Sequence, residues 1–126
     1  MTAHVNELIR RECNLFDYHI FVIPGGFSYG DDIASGKVLA NELKLKFGED
    51  VLRFEDDGRL VLGICNGFQV LVKSGILPRI SKGQGPRVTL TNNDSGKFEC
   101  RWVYLGINKK SPCVFTKGMH NMYVPV

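Results

Sequence analysis

The stretch that most constrains the fold is Leu60 to Ser74, LVLGICNGFQVLVKS: an apolar run, a cysteine between two glycines, then a helical pattern. Leu60, Val61, Leu62 and Ile64, bounded by Arg59 and by glycines, predict a strand buried on both faces, as inside a parallel sheet. Gly63-Ile64-Cys65-Asn66-Gly67 then has the G-x-nucleophile-x-G form of a nucleophile elbow, with cysteine in the nucleophile position. At such a turn the central residue is held in a strained conformation, and a side chain at either glycine would strike the neighbouring strand or helix. Phe68, Leu71 and Val72 at i, i+3, i+4 predict a helix packed on the sheet. A helix starting at Asn66 turns its first N–H groups toward the sulfur, which favours thiolate. A cysteine after a strand can also be an inert core residue; the strand, the two glycines and the helix together point to a nucleophile.

Upstream, Tyr18 to Ile23 predicts a strand ended by Pro24, with His19 in a structural place early in it. Pro24-Gly25-Gly26-Phe27-Ser28-Tyr29-Gly30-Asp31-Asp32 follows, and its glycines allow backbone N–H groups to point into open space, as an oxyanion or phosphate requires. A phosphate-binding P-loop needs Lys and Ser/Thr where Asp31 and Asp32 stand, so nucleotide phosphate is disfavoured. A tight surface turn is the plainer alternative. Leu39, Leu43 and Phe47 recur every four residues within Ser35–Phe47, which predicts an amphipathic crossover helix ended by Gly48. The acidic stretch from Glu49 to Arg59 is expected to be a loop or frayed edge. The resulting βαβα order predicts an α/β fold with an open, mainly parallel sheet and flanking helices. Ligands on such sheets bind beyond the carboxyl ends of the strands, which places the Gly25-Gly26 loop beside Cys65 as a source of oxyanion donors.

The remaining segments are less informative. Val5, Leu8 and Ile9 suggest a short helix beginning near Thr2 or Asn6. Gly75 and Pro78 stop the helix after Cys65, and Ser81–Arg87 reads as a loop. Val88–Thr91 is expected to be a short strand and Phe98–Ile107 a longer one, with Phe98, Cys100 and Trp102 on one face and Glu99, Arg101 and Val103 on the other. Thr91–Gly96 between them is a polar turn, and Tyr123–Val126 begins a last strand. No repeat or linker divides the chain, so residues 1–126 are expected to form one domain.

Composition excludes several classes. The 126 residues carry a net charge of +3, and Arg10-Arg11, Lys44/Lys46 and Lys109-Lys110 are scattered pairs, which argues against nucleic acid. Four cysteines without C-x-x-C spacing argue against zinc. The polar start and the lack of a long apolar run predict neither a signal peptide nor a membrane segment, hence a cytoplasmic protein with reduced thiols.

PGGFSYGDD at 24–32, GICNGFQ at 63–69 and NNDSGKFECRW at 92–102 together resemble the triad (class I) glutamine amidotransferases, whose sheet is flavodoxin-like. More narrowly they resemble the glutaminase subunits of phosphoribosylformylglycinamidine synthase, of purine biosynthesis. The resemblance implies that Cys65 attacks the glutamine side-chain amide to form a thioester and release ammonia. It implies that the backbone N–H groups of Gly25, Gly26 and Asn66 hold the oxyanion, and that Gln69, Asn93, Ser95 and Phe98 line the glutamine pocket. It implies no cofactor in this chain; ATP and Mg would be used by a separate synthetase subunit that receives the ammonia.

Two features of the family are missing. Its domain begins with a central strand before the helix near Asn6, and its catalytic histidine lies in a His-x-Glu motif just after the strand that here reaches Val126. His4, His19 and His120 do not match that position. The expectation is therefore an incomplete domain, truncated at both ends and slow to turn over glutamine. A cysteine-elbow hydrolase or deglycase of the same architecture, or a non-catalytic binding module, are the alternative readings.

Overall fold

The computed structural model describes residues 1–26, 41, 47–79 and 88–126, and the chain divides into two compact units, Met1–Leu90 and Thr91–Val126. In the first unit, helix α1 (Val5–Ile9) leads to a 3-10 turn at Leu15–Asp17, strand β1 (Ile20–Ile23), helix α2 (Gly48–Asp56), strand β2 (Leu60–Gly63) and helix α3 (Asn66–Ser74). β1 and β2 pair in parallel, with Ile20 opposite Leu60 and Ile23 opposite Gly63. This is the parallel α/β arrangement expected from the strand–helix order. The expected crossover helix at Ser35–Phe47 and the loop at Ser81–Arg87 lie almost wholly outside the described residues.

One hydrophobic cluster holds this unit together: Leu15, Ile23, Phe47, Val51, Phe54, Val70, Leu71 and Ile76, with Phe21 and Val61 packed against it. Val51, Phe54, Val70 and Leu71 are fully buried, each contributing about 1.5–3 kcal/mol by leaving water. Two of these residues, Val51 and Phe54, come from a segment expected to be irregular. Glu49–Arg59 holds most of α2, because Phe47, Val51 and Phe54 recur at i, i+4, i+7 beneath its acidic residues, and Glu49 and Asp50 occupy the first turn, where negative charge suits the helix dipole.

The strand at Leu60–Ile64 was expected to be buried on both faces, but β2 is only half-buried along its length and Ile64 is exposed; in β1, Ile20 and Val22 are exposed while Phe21 and Ile23 face the cluster. Among the described residues the two strands pair only with each other. β1 is also shorter than Tyr18–Ile23; His19 lies just before it, its carbonyl accepting from the Leu60 N–H at 3.1 Å. The cap of α1 is His4 rather than Thr2 or Asn6: its Nδ1 accepts from the Asn6 N–H at 3.2 Å, and Glu7 reaches back to the His4 N–H at 2.8 Å.

Arg59 donates to the Tyr18 carbonyl and lies over the Phe54 ring at 5.4 Å, tying the start of β2 to the chain entering β1. Arg79, after α3, donates to Glu55 Oε2 at 2.8 Å and lies 3.0 Å from Asp56 Oδ1, clamping the C-terminal turn of α2. Hydrogen bonds from Glu55 first and Asp56 second raise the guanidinium pKa above its ordinary value.

The second unit contains strands β3 (Trp102–Leu105) and β4 (Met122–Pro125), paired antiparallel with Tyr104 opposite Tyr123, and a 3-10 turn at Val114–Thr116. Arg101 and Val126 exchange two further backbone bonds at 2.8 and 3.0 Å. Tyr123 packs on Trp102 and Tyr104 with ring centroids 5.2 and 4.4 Å away. The longer strand expected at Phe98–Ile107 contracts to four residues, and Val88–Thr91 is not a strand; among the described residues neither Val88–Thr91 nor Phe98–Cys100 has a ladder partner.

Candidate active site

The elbow sits where β2 gives way to α3. The Ile64 N–H donates to the Ile23 carbonyl at 3.0 Å, carrying the ladder one residue past β2. Cys65 then adopts φ 51°, ψ −112°, a conformation that costs a non-glycine residue roughly 1–3 kcal/mol. The turn closes through the Gly67 N–H to the Ile64 carbonyl at 2.9 Å and the Gln69 N–H to the Cys65 carbonyl at 3.2 Å. Cys65 is exposed.

Both flanking glycines are required by close approach. A Cβ at Gly63 would lie 2.7 Å from the Phe68 backbone and from Leu71 Cδ1, and one at Gly67 would lie 2.0 Å from the Ile23 carbonyl oxygen. These are the two collisions the elbow reading anticipates, one with the helix and one with the neighbouring strand. The same contacts reset the buried face of α3. Because Gly67 lies on the end of β1, the inward stripe is Gly67, Val70, Leu71 and Ser74, and Phe68, expected in the core, is exposed.

The contact at Gly67 also brings the two predicted halves of the site together. β1 ends at Ile23, and after Pro24 the chain passes directly beside Cys65: a Cβ built at Gly25 would stand 3.2 Å from Cys65 Cβ, 3.4 Å from the Ile64 carbonyl and 4.0 Å from Cys65 Sγ. Gly26 follows with φ 134°. Phe27–Asp32, the rest of that motif, lie outside the described residues. Asn66 is buried at the start of α3 and Gln69, one turn on, is half-buried.

Asn93, Ser95 and Phe98 belong to the second unit. Asn93 and Ser95 shape a turn there: the Gly96 N–H donates to the Asn93 carbonyl at 2.8 Å, Asn93 Nδ2 donates to the Lys97 carbonyl at 2.9 Å, and the Lys97 N–H donates to Ser95 Oγ at 3.4 Å. Phe98 is 91% exposed. Of the histidines in the first unit, His4 caps α1, and His19 precedes β1, at the end of that strand away from the elbow. Among the described residues no group of His, Cys, Asp or Glu is arranged to hold a metal ion.

Two contributors were not anticipated. The carbonyl of Ile23 supports both Ile64 and the seat of Gly67, and the Ile64 carbonyl walls the Gly25 approach; main-chain roles of this kind leave no mark on residue identity. His4 as a helix cap did have a signal, Glu7 three residues later.

The profile of the CobB/CobQ-like glutamine amidotransferase domain matches residues 1–126. The chain belongs to this family. Among its relatives within the glutamine amidotransferases is the protein named phosphoribosylformylglycinamidine synthase subunit PurQ of Dehalococcoides mccartyi, 54% identical over 124 residues that cover 98% of this chain and 48% of that one. Its namesake from Methanococcus maripaludis is 44% identical over 125 residues, covering 98% and 46%. A solved structure described as PurLQS from Thermotoga maritima aligns with TM-score 0.67 at 34% identity, over 91% of this chain and 50% of that one. The chain thus spans about half the length of the relatives it matches. These likenesses agree with an incomplete amidotransferase α/β fold. No helix among the described residues is long and apolar enough to cross a membrane.

Proposed function

We propose that this chain carries the nucleophile of a glutaminase that supplies ammonia to phosphoribosylformylglycinamidine synthase in purine biosynthesis. The observation that carries this reading is the approach of the Gly25 backbone to Cys65, which sets a glycine-rich turn against an exposed sulfur on a strained elbow. The thiolate of Cys65 attacks the carboxamide carbon of glutamine and forms a C–S bond. The C–N bond breaks, the nitrogen leaves as ammonia after taking a proton, and water hydrolyses the glutamyl thioester to glutamate. N–H groups of Gly25, Gly26 and Asn66 hold the oxyanion, a contribution of roughly 3 kcal/mol per donor in other enzymes. Gln69, Asn93, Ser95 and Phe98 are the proposed pocket. Ammonia passes to a synthetase subunit in the cytoplasm, which spends ATP with Mg; neither nucleic acid nor a membrane takes part. The relatives named as PurQ and the PurLQS structure support the assignment. His4 is engaged as the cap of α1 and His19 lies at the end of β1 away from the elbow, so turnover by the 126-residue chain alone is expected to be slow.

A diazoketone glutamine analogue tests this. It should alkylate Cys65 in preference to the other free cysteines, Cys13, Cys100 and Cys113, and the mass increase should vanish in Cys65→Ala. Equal labelling of all four thiols would overturn the proposal.

A further inference from the structure

The second unit contains a cavity of about 530 Å³ that the proposed reaction does not use. That volume falls within the range of small-molecule sites. Its lining includes Asn108, Lys109, Ser111, Lys117 and His120, with Val114 and Met119 among its apolar wall, and no carboxylate. The absence of acid extends along the chain, for no Asp or Glu occurs from Cys100 to Val126.

The polar groups of the lining are biased toward donation. Asn108 Oδ1 accepts from the Lys110 N–H at 3.0 Å, and Ser111 Oγ accepts from the Cys113 N–H at 3.2 Å. These bonds orient both side chains and take up one acceptor lone pair on each, and they leave the Asn108 NH₂ and the Ser111 O–H available to donate. Among the described residues neither Lys109 nor Lys117 forms an ion pair with a carboxylate. Two unpaired ammonium groups beside two side chains fixed as donors make a lining complementary to an anion with several acceptor oxygens, and the apolar wall offers room for an organic remainder.

We infer that the cavity bounded by Ile107–His120 binds a phosphate monoester, with Lys109, Lys117, Asn108 and Ser111 on the phosphoryl group. Calorimetric titration of the 126-residue chain with inorganic phosphate and, separately, with ribose 5-phosphate tests it at fixed ionic strength. Saturable one-site binding of both is expected, with the sugar phosphate tighter; equal affinity would restrict the site to free phosphate and overturn the monoester assignment. Asn108→Asp keeps the acceptor for the Lys110 N–H and replaces the donor by a carboxylate, so it should weaken binding at least tenfold. The double variant Lys109→Ala/Lys117→Ala should do the same, whereas Arg10→Ala/Lys97→Ala, which removes two charges elsewhere, should leave affinity within about twofold. Circular dichroism confirms the fold of each variant, and the lysine pair decides if Asn108→Asp does not fold. Loss of affinity that follows net charge alone would overturn the inference. So would tighter, competing binding of an Asp/Glu-rich peptide, which would make the cavity a groove for an acidic segment.

Discussion

In the first unit Val51, Phe54, Val70 and Leu71 have no exposed surface, whereas in the second no residue from Thr91 to Val126 is buried. Charge divides the same way. Residues 1–90 hold eleven basic and eleven acidic side chains, and residues 91–126 hold five basic and two acidic, so the whole surplus of +3 lies in the smaller unit. The first unit sets its chemistry by backbone contact around a packed cluster. The second relies on turns and a ladder of exposed aromatic rings, a poor scaffold for placing atoms to within half an ångström and an adequate one for attracting an anion. A nucleophile needs the first kind of support.

Substitutions graded from one unit to the other test this contrast. The largest effect is expected at Gly67→Ala. Its Cβ has no room against the Ile23 carbonyl, so either the strand end or α3 must move. A loss of at least about 4 kcal/mol is expected, read by denaturant titration. If the variant folds, its Cys65 should also lose selective alkylation by the glutamine analogue. Wild-type stability would show that the elbow is not seated on β1.

Phe54→Ala comes next, removing a fully buried ring from the cluster at a cost of about 3–5 kcal/mol. Chemical unfolding followed by hydrogen exchange should show the amides of β2 losing protection while those of β3 and β4 are unchanged. Parallel loss in both units would erase the distinction drawn here.

Arg79→Met should cost about 2 kcal/mol, since the side chain is only 18% exposed and its charge-assisted bonds to Glu55 and Asp56 are lost. The folded-state pKa is raised above the unfolded one. The stabilisation is therefore complete below the unfolded value and is lost only as pH rises through the folded value. Melting curves should accordingly show the same deficit for this variant from about pH 6 to about pH 9.

The smallest effect is expected from Tyr104→Ala. Its ring packs on Tyr123 but is 84% exposed, so about 0.5–1.5 kcal/mol of local stability is at stake, seen as faster exchange at the Tyr104 and Tyr123 amides. A global loss above about 3 kcal/mol would show that the second unit has a core of its own.

How legible each part was follows from where the physical constraint resides. The elbow could be read because its glycines answer to collisions: a Cβ that would stand 2.0 Å from a carbonyl oxygen cannot be accommodated, so the constraint is written directly in residue type. The parallel order of β1 and β2 was legible from short apolar runs separated by helical spacing. α2 was hidden because Glu49, Asp50, Glu55, Asp56 and Asp57 dominate its composition, while the three residues that decide it, Phe47, Val51 and Phe54, are visible only as a periodicity. Phe68 was misplaced by one step of the same periodicity, since hydrophobicity ranked it above Gly67 and sterics reversed the order. At Phe98 and Val88 apolar residues suggested strand, but a strand exists only where another supplies its hydrogen bonds, and a single run cannot specify that partner. The acid-free run after Cys100 was open to inspection; it was lost by averaging charge over the entire chain.

The positive φ of Cys65 has a consequence in time as well as in space. That conformation is held by contacts from α3 and from the end of β1, elements on either side of a crossover that must close before parallel strands can pair. While the chain is being synthesised its sulfur is an ordinary thiol in a flexible peptide. It takes up the elbow conformation only when residues far behind it and those just emerging have met. On the proposed mechanism, selective reaction of this sulfur with a glutamine analogue would therefore report that β1, β2 and α3 have assembled.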